Sequence, residues 1–155
     1  MRKLASSVLG LTATIGLTFF GFGYYSQGLT APGLNQGKLA PCPSRPCCVN
    51  SESGATDKHA IAPIPITAQM AGEPLVLVQE AVTQLGGKVV LADNNYLAAT
   101  FTSAIFGFVD DVEFRVDPDQ KVVHVRSASR TGYYDFEVNR KRVEKIRGIV
   151  TALSK

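Results

Sequence analysis

A chain of 155 residues, 45% hydrophobic and 19% charged, has room for one domain with a modest core. Its net charge of +3 comes from 16 Lys and Arg interleaved with 13 Asp and Glu, which excludes the basic stripe of a nucleic-acid binder, so no nucleic-acid partner is expected. The charges are unevenly spread, and 17 of them lie between Asp110 and Arg147. Polar chemistry or recognition is expected there.

Residues 1–25 read as a signal anchor or a signal peptide. Arg2 and Lys3 precede an uncharged run from Leu4 to Tyr25, which as a helix would be about 33 Å long, enough to cross a bilayer. The basic end would stay in the cytoplasm and send the rest of the chain outward. The exit at Leu29-Thr30-Ala31 is poor for cleavage, because Leu29 is bulky and Pro32 follows directly, so the uncleaved anchor is the leading reading and a cleaved signal peptide its rival. Both place the domain outside the cytoplasm, in a periplasm or a thylakoid lumen, with the membrane as a partner through the N-terminal helix.

Residues 26–41 are rich in Gly, Pro, Gln, Ser and Thr with almost no charge and no apolar period, and read as a flexible tether. Residues 42–155 form the domain. Cys42, Cys47 and Cys48 lie within seven residues; adjacent cysteines pair poorly, so Cys42 is expected to bond to Cys47 or to Cys48, leaving one thiol over. With no histidine closer than His59, the cluster lacks zinc-ligand spacing, and no metal is expected. The segment to Ile66 is loop-like, with a short extended piece from His59 to Ile66 broken by Pro63 and Pro65.

Glu73-Pro74 opens a helix carrying Leu75, Val78, Val82 and Leu85 at helical spacing, and Gly86-Gly87 stops it. Lys88 to Ala92 and Tyr96 to Thr102 read as strands around an Asp93-Asn94-Asn95 turn. A second hairpin pairs Asp111 to Asp117 with Gln120 to Ala128 about Pro118-Asp119. In that register Val112 meets Val125 and Phe114 meets Val123 on a core face, while Asp111 meets Arg126 and Glu113 meets His124 on a charged one. Asp135 caps a last helix whose buried stripe is Val143, Ile146, Val150 and Leu153. Asn139 falls inside that stripe and Arg142 at its edge, with Arg140, Lys141 and Lys145 toward solvent. The fold expected is α+β, a mainly antiparallel sheet of two hairpins with helices packed on one face, behind an N-terminal transmembrane or signal helix.

Several motifs together carry a resemblance. Pro41-Cys42-Pro43 with Pro46-Cys47-Cys48-Val49, then His59, Ile61 and Pro63, then Phe108 to Phe114, and finally the run Arg126 to Gly132 with Asp135-Phe136 and Asn139-Arg140-Lys141-Arg142, resemble the DUF1499 family from about Leu39 to Arg147. The resemblance implies an uncharacterised domain of bacteria and photosynthetic lineages, commonly behind an export or membrane segment, with no catalytic residues to carry over. It also implies Cys48 as the partner of Cys42, because Asn is usual where Cys47 stands. Gly is common where Glu137 stands.

The candidate ligand-binding residues are Asp110, Asp111, Glu113, Arg126, Ser127, Ser129, Arg130, Asp135, Asn139 and Arg142. Asp110, Asp111 and Glu113 suit acid and base chemistry or a cation, but each has a basic or amide partner within reach. Ser127 and Ser129 between Arg126 and Arg130 suit phosphate or carboxylate. No nucleophile elbow is present, and His124, three residues along a strand from Ser127, faces the other way. With no phosphate-loop, dinucleotide or metalloprotease motif, no cofactor is expected. The leading expectation is a membrane-tethered, non-enzymatic accessory or binding domain outside the cytoplasm, its partner a protein or a small anionic ligand. The alternative is a hydrolase of an anionic or ester substrate, working through Asp110, Asp111, Glu113 and the Arg126 to Arg130 segment.

Overall fold

The computed structural model describes residues 2–52, 58–70 and 72–155. In chain order the elements are α1 (Arg2–Gln27), β1 (Leu34–Asn35), β2 (Lys38–Leu39), β3 (Cys48–Asn50), β4 (Ile64–Pro65), α2 (Pro74–Gln84), β5 (Lys88–Ala92), β6 (Tyr96–Thr102), β7 (Val109–Asp117), β8 (Val122–Ser129) and α3 (Val138–Leu153). The main sheet has the order β3-β8-β7-β6-β5, and β4 also pairs with β8. All these strands pair antiparallel, so the fold is α+β as expected. The sheet is larger than two hairpins, because β3 and β4 continue it across the outer edge of β8. Pro65 in β4 fits that edge, where a missing N–H costs no ladder bond.

Strand alternation divides the sheet into two faces. Leu97, Ala99, Val112, Phe114, Val123 and Val125 form one core with Val78 and Val82 of α2 and Val143, Ile146 and Val150 of α3. Leu153, expected in the buried stripe, is not part of it and is 37% exposed, whereas Val150 one turn earlier is buried. Between α2 and β5, Gly86 takes φ 80°, and a Cβ on Gly87 would meet Phe101 at 2.6 Å and Val82 at 2.7 Å. Those two glycines therefore both end the helix and let it lie against the sheet.

The β7–β8 register differs from the expected one by two residues. Phe114 pairs with Val125, Glu113 with Arg126 and Arg115 with His124. The connection is four residues long rather than two, with Lys121 left-handed at φ 54° and the Gln120 amide donating to Asp117. A shift of two keeps every side chain on its face, so the core survives while each charged residue changes partner.

The charged face is buried as well, because residues 26–41, expected as a tether, lie across it. Gln36 and Gly37, both at positive φ, make the tight turn of the β1–β2 hairpin. Leu39 buries itself against Tyr96 and Ala98. Ahead of this segment, α1 docks by its last turn. A Cβ on Gly23 would fall 1.7 Å from the Phe106 carbonyl oxygen, so only glycine allows the contact. Buried Ser26 accepts the Val109 amide at 3.1 Å, and Phe19 and Phe20 each meet Phe106 with ring centroids 5.3 Å apart.

Among the described residues no helix is long and apolar enough to cross a membrane, so the spanning helix expected of Leu4 to Tyr25 is not found. Thr12, Thr14, Gly16, Thr18, Gly21 and Gly23 dilute its apolar residues. The side chains of residues 2–11 and 13 lie outside the described residues.

Candidate functional site

The ten candidate residues do not form one site, because the alternation of β7 and β8 sends them to opposite faces. On the helix face, Arg142 donates to Asp110 at 2.7 Å and to Asn139 Oδ1 at 2.7 Å, with its guanidinium 4.6 Å from the Phe101 ring centre. Asn139, fully buried, accepts from Ser127 at 2.5 Å and donates to Ser129, Asp135 and the Cys47 carbonyl. Asp135 accepts the Glu137 and Asn139 amides, one on each oxygen, and so caps α3 from outside its first turn. Asp110, Ser127, Ser129, Asp135, Asn139 and Arg142 thus join β7, β8, α3 and the Cys47 carbonyl in one hydrogen-bonded network.

The outer face holds Asp111, Glu113, Arg126 and Arg130. Arg130 grips Asp111 with two bonds of 2.9 and 2.7 Å and donates to the Ser26 carbonyl at 3.1 Å, capping the C-terminus of α1. Arg126 donates through Nη1 to Glu113 at 2.8 Å. The other Glu113 oxygen accepts from Tyr96 at 2.6 Å and from the Gly33 amide at 3.0 Å. Burial and then the Glu113 carboxylate push the Tyr96 hydroxyl far above the ordinary tyrosine range. The expected pairs Asp111 with Arg126 and Glu113 with His124 are replaced, because the longer turn sets Arg126 opposite Glu113. His124 instead lies near Asp117 and Ser51.

A cleft of about 640 Å³ opens on this face. Its floor is Asp111, Arg126, Ala128 and Arg130, and its walls are the 28–32 segment and the Pro41-Cys42-Pro43 turn, with Arg45 at the side. Cys42 is bonded to Cys48, the pairing that the resemblance implied, and the disulfide pins the turn that forms this wall. Cys47 is free and buried, and burial raises its thiol pKa, making it a poor nucleophile.

The arginines of the cleft are incompletely used. Arg126 is 7% exposed, yet its Nε–H is buried with no acceptor among the described residues, a deficit worth about 1 to 3 kcal/mol. Arg45 spends one guanidinium nitrogen on the Gly132 carbonyl at 2.7 Å and meets no carboxylate among the described residues. By contrast, Asp110, Asp111 and Glu113 are each held by an arginine. Within the described residues no group of three His, Cys, Asp or Glu side chains is placed to hold a metal. Among the described residues the carboxylate that lines the cleft, Asp111, is held by Arg130.

Sequence reading missed Arg45, Tyr96 and the segment 28–43. The alternation Tyr96, Ala98, Thr100 in β6 could have placed Tyr96 beside the carboxylates. Nothing periodic marks Arg45, which reaches the cleft only because the disulfide folds its loop back.

Residues 38–150 match the family model described as "Protein of unknown function (DUF1499)". No curated protein matches the chain.

Proposed function

The chain belongs to the DUF1499 family, and since that description carries no activity to transfer, we propose its function from its own geometry: a non-enzymatic, membrane-associated domain outside the cytoplasm that holds a small anionic ligand in the outer-face cleft. The observation that carries the reading is the buried, unpartnered Nε–H of Arg126 on the floor of a cleft that Arg45 and Arg130 also line. A carboxylate or phosphate seated there would offset the charge of Arg45, which has no carboxylate partner among the described residues, and a shift of the Arg126 guanidinium toward the cleft would give its Nε–H an acceptor. The Cys42–Cys48 disulfide supports an oxidising compartment. The hydrolase alternative finds less support, because Asp110, Asp111 and Glu113 are held by arginines, and the serine that does lie beside a histidine, Ser51 with its Oγ 3.2 Å from His124 Nδ1, is not among the residues that line the cleft.

Thermal unfolding of the full-length protein with inorganic phosphate, glycerol phosphate or succinate tests this, with sodium chloride at equal ionic strength as the control. At a hundredfold excess over Kd a bound anion adds about 2.7 kcal/mol. The expected result is a raised Tm with at least one of these anions and a smaller rise in Arg45→Ala. Equal rises with chloride would remove the anion site. Hydrolysis of a phosphate or carboxylate ester that disappears in Asp111→Asn would transfer support to the hydrolase.

A further inference from the structure

The loop between β8 and α3 exposes three aromatic side chains in four residues. Tyr133, Tyr134 and Phe136 are 71%, 55% and 76% exposed, and Phe136 meets Tyr134 edge-on with centroids 5.2 Å apart. Phe136 and Glu137 are successive non-glycine residues in the left-handed region, at φ 55° and 62°. Such strain persists only where the surroundings impose it. Here Asp135 imposes it by holding the amides on either side of Val138, and the outcome is a phenyl ring turned to solvent.

The charges around this loop are mixed, with Asp135 and Glu137 ahead of α3 where the helix dipole favours them and a basic run directly after. The first turn of α3 has no acid, and Arg140, Lys141 and Arg142 stand where negative charge is favoured. Arg142 is satisfied by Asp110 and Arg140 by the carbonyls of Lys58 and Ala60. Lys141 donates only to the Phe136 carbonyl, and neither it nor Lys145 meets a carboxylate among the described residues. Two cations with no carboxylate partner among the described residues, Lys141 and Lys145, thus follow the aromatic loop, which itself carries Asp135 and the exposed Glu137.

Antiparallel pairing puts this loop at the same end of the sheet as the β6–β7 loop and the C-terminus of α1. Ile105 of the β6–β7 loop is 71% exposed. On α1 the apolar side chains Ile15, Leu17, Phe20 and Phe22 are exposed, a surface that favours an apolar contact. We propose that this end of the sheet seats on an anionic lipid surface, with Tyr133, Tyr134 and Phe136 in the headgroup layer and Lys141 and Lys145 on lipid phosphates. The inference rests on the membrane association in the proposed function and adds that the folded domain, not α1 alone, contacts the bilayer.

The chain has no tryptophan, so Phe136→Trp in the full-length protein gives a single emission reporter at an exposed position. With vesicles of phosphatidylcholine containing a quarter phosphatidylglycerol, the emission should shift to the blue as the protein floats with the lipid. The shift should fall severalfold on phosphatidylcholine alone, and likewise when Lys141→Ala and Lys145→Ala are added. Flotation with unshifted emission would overturn the seating and leave attachment by α1 standing. Failure to float would remove both. A shift that grows with protein concentration without lipid, together with dimers in sedimentation, would assign the rim to a second copy and overturn the lipid proposal.

Discussion

Glu137 holds a left-handed backbone, φ 62°, that glycine adopts without a steric penalty, in keeping with the glycine common at this position in the resemblance. Glu137→Gly is expected to stabilise the protein by about 1 kcal/mol, the Cβ cost outweighing the added freedom of the unfolded chain; urea unfolding measures it. Tyr96 makes the second residue-scale prediction. Its hydroxyl, buried and bonded to the Glu113 carboxylate, has a raised pKa, so its contribution is complete below the unfolded tyrosine value of about 10 and is lost as pH climbs above it. Tyr96→Phe should cost about 1 to 2 kcal/mol at neutral pH and flatten the fall in stability above pH 10, followed by urea midpoints across the alkaline range. An unchanged alkaline slope in the variant would contradict the burial of this hydroxyl.

At the scale of elements, the Asp110–Arg142–Asn139 network ties α3 to β7 and β8. Asp110→Ala or Arg142→Ala strands a desolvated charged partner and should destabilise by about 2 to 4 kcal/mol. Lys141→Ala, at an exposed position, should change stability by less than about 0.5 kcal/mol in the same denaturation. This much was legible from sequence, because helical spacing turned Asn139 and Arg142 inward and alternation put Asp110 on the same face. The bounds of β5 and β6 were legible too, since apolar runs met a clear Asp93-Asn94-Asn95 turn. The β7–β8 pairing was not. Alternation fixes faces but not a shift of two, and only the left-handed Lys121 sets the four-residue loop. Residues 26–41 were misread for a related reason, since a two-residue strand in a Gly-rich stretch has no period to detect and its packing depends on a partner far along the chain.

At the scale of the molecule, one sheet separates two polar systems that looked continuous in sequence. The helix-face system is a hydrogen-bonded network that ties α3 to the sheet, and the outer-face system lines a cleft. Residues close in sequence between Arg126 and Arg130 therefore have different work, with Ser127 and Ser129 tying the helix down while Arg126 and Arg130 floor the cleft. The segment 28–43 makes the cleft by covering the charged face, and the Cys42–Cys48 disulfide holds one wall. Reduction of that bond should weaken anion binding before the sheet unfolds, which titration in the presence and absence of a reductant would detect. The most direct test of the anion site is the Nε–H resonance of Arg126 in proton–nitrogen spectra of the full-length protein, titrated with inorganic phosphate, glycerol phosphate and succinate. The account predicts that one of these anions shifts the Arg126 resonance saturably, and that of Arg45 with it, while Arg147, bonded to Glu144 and the carbonyls of Ala62 and Pro63, stays in place. An Arg126 resonance that does not move with any of the three, or moves no more than that of Arg147, would contradict it.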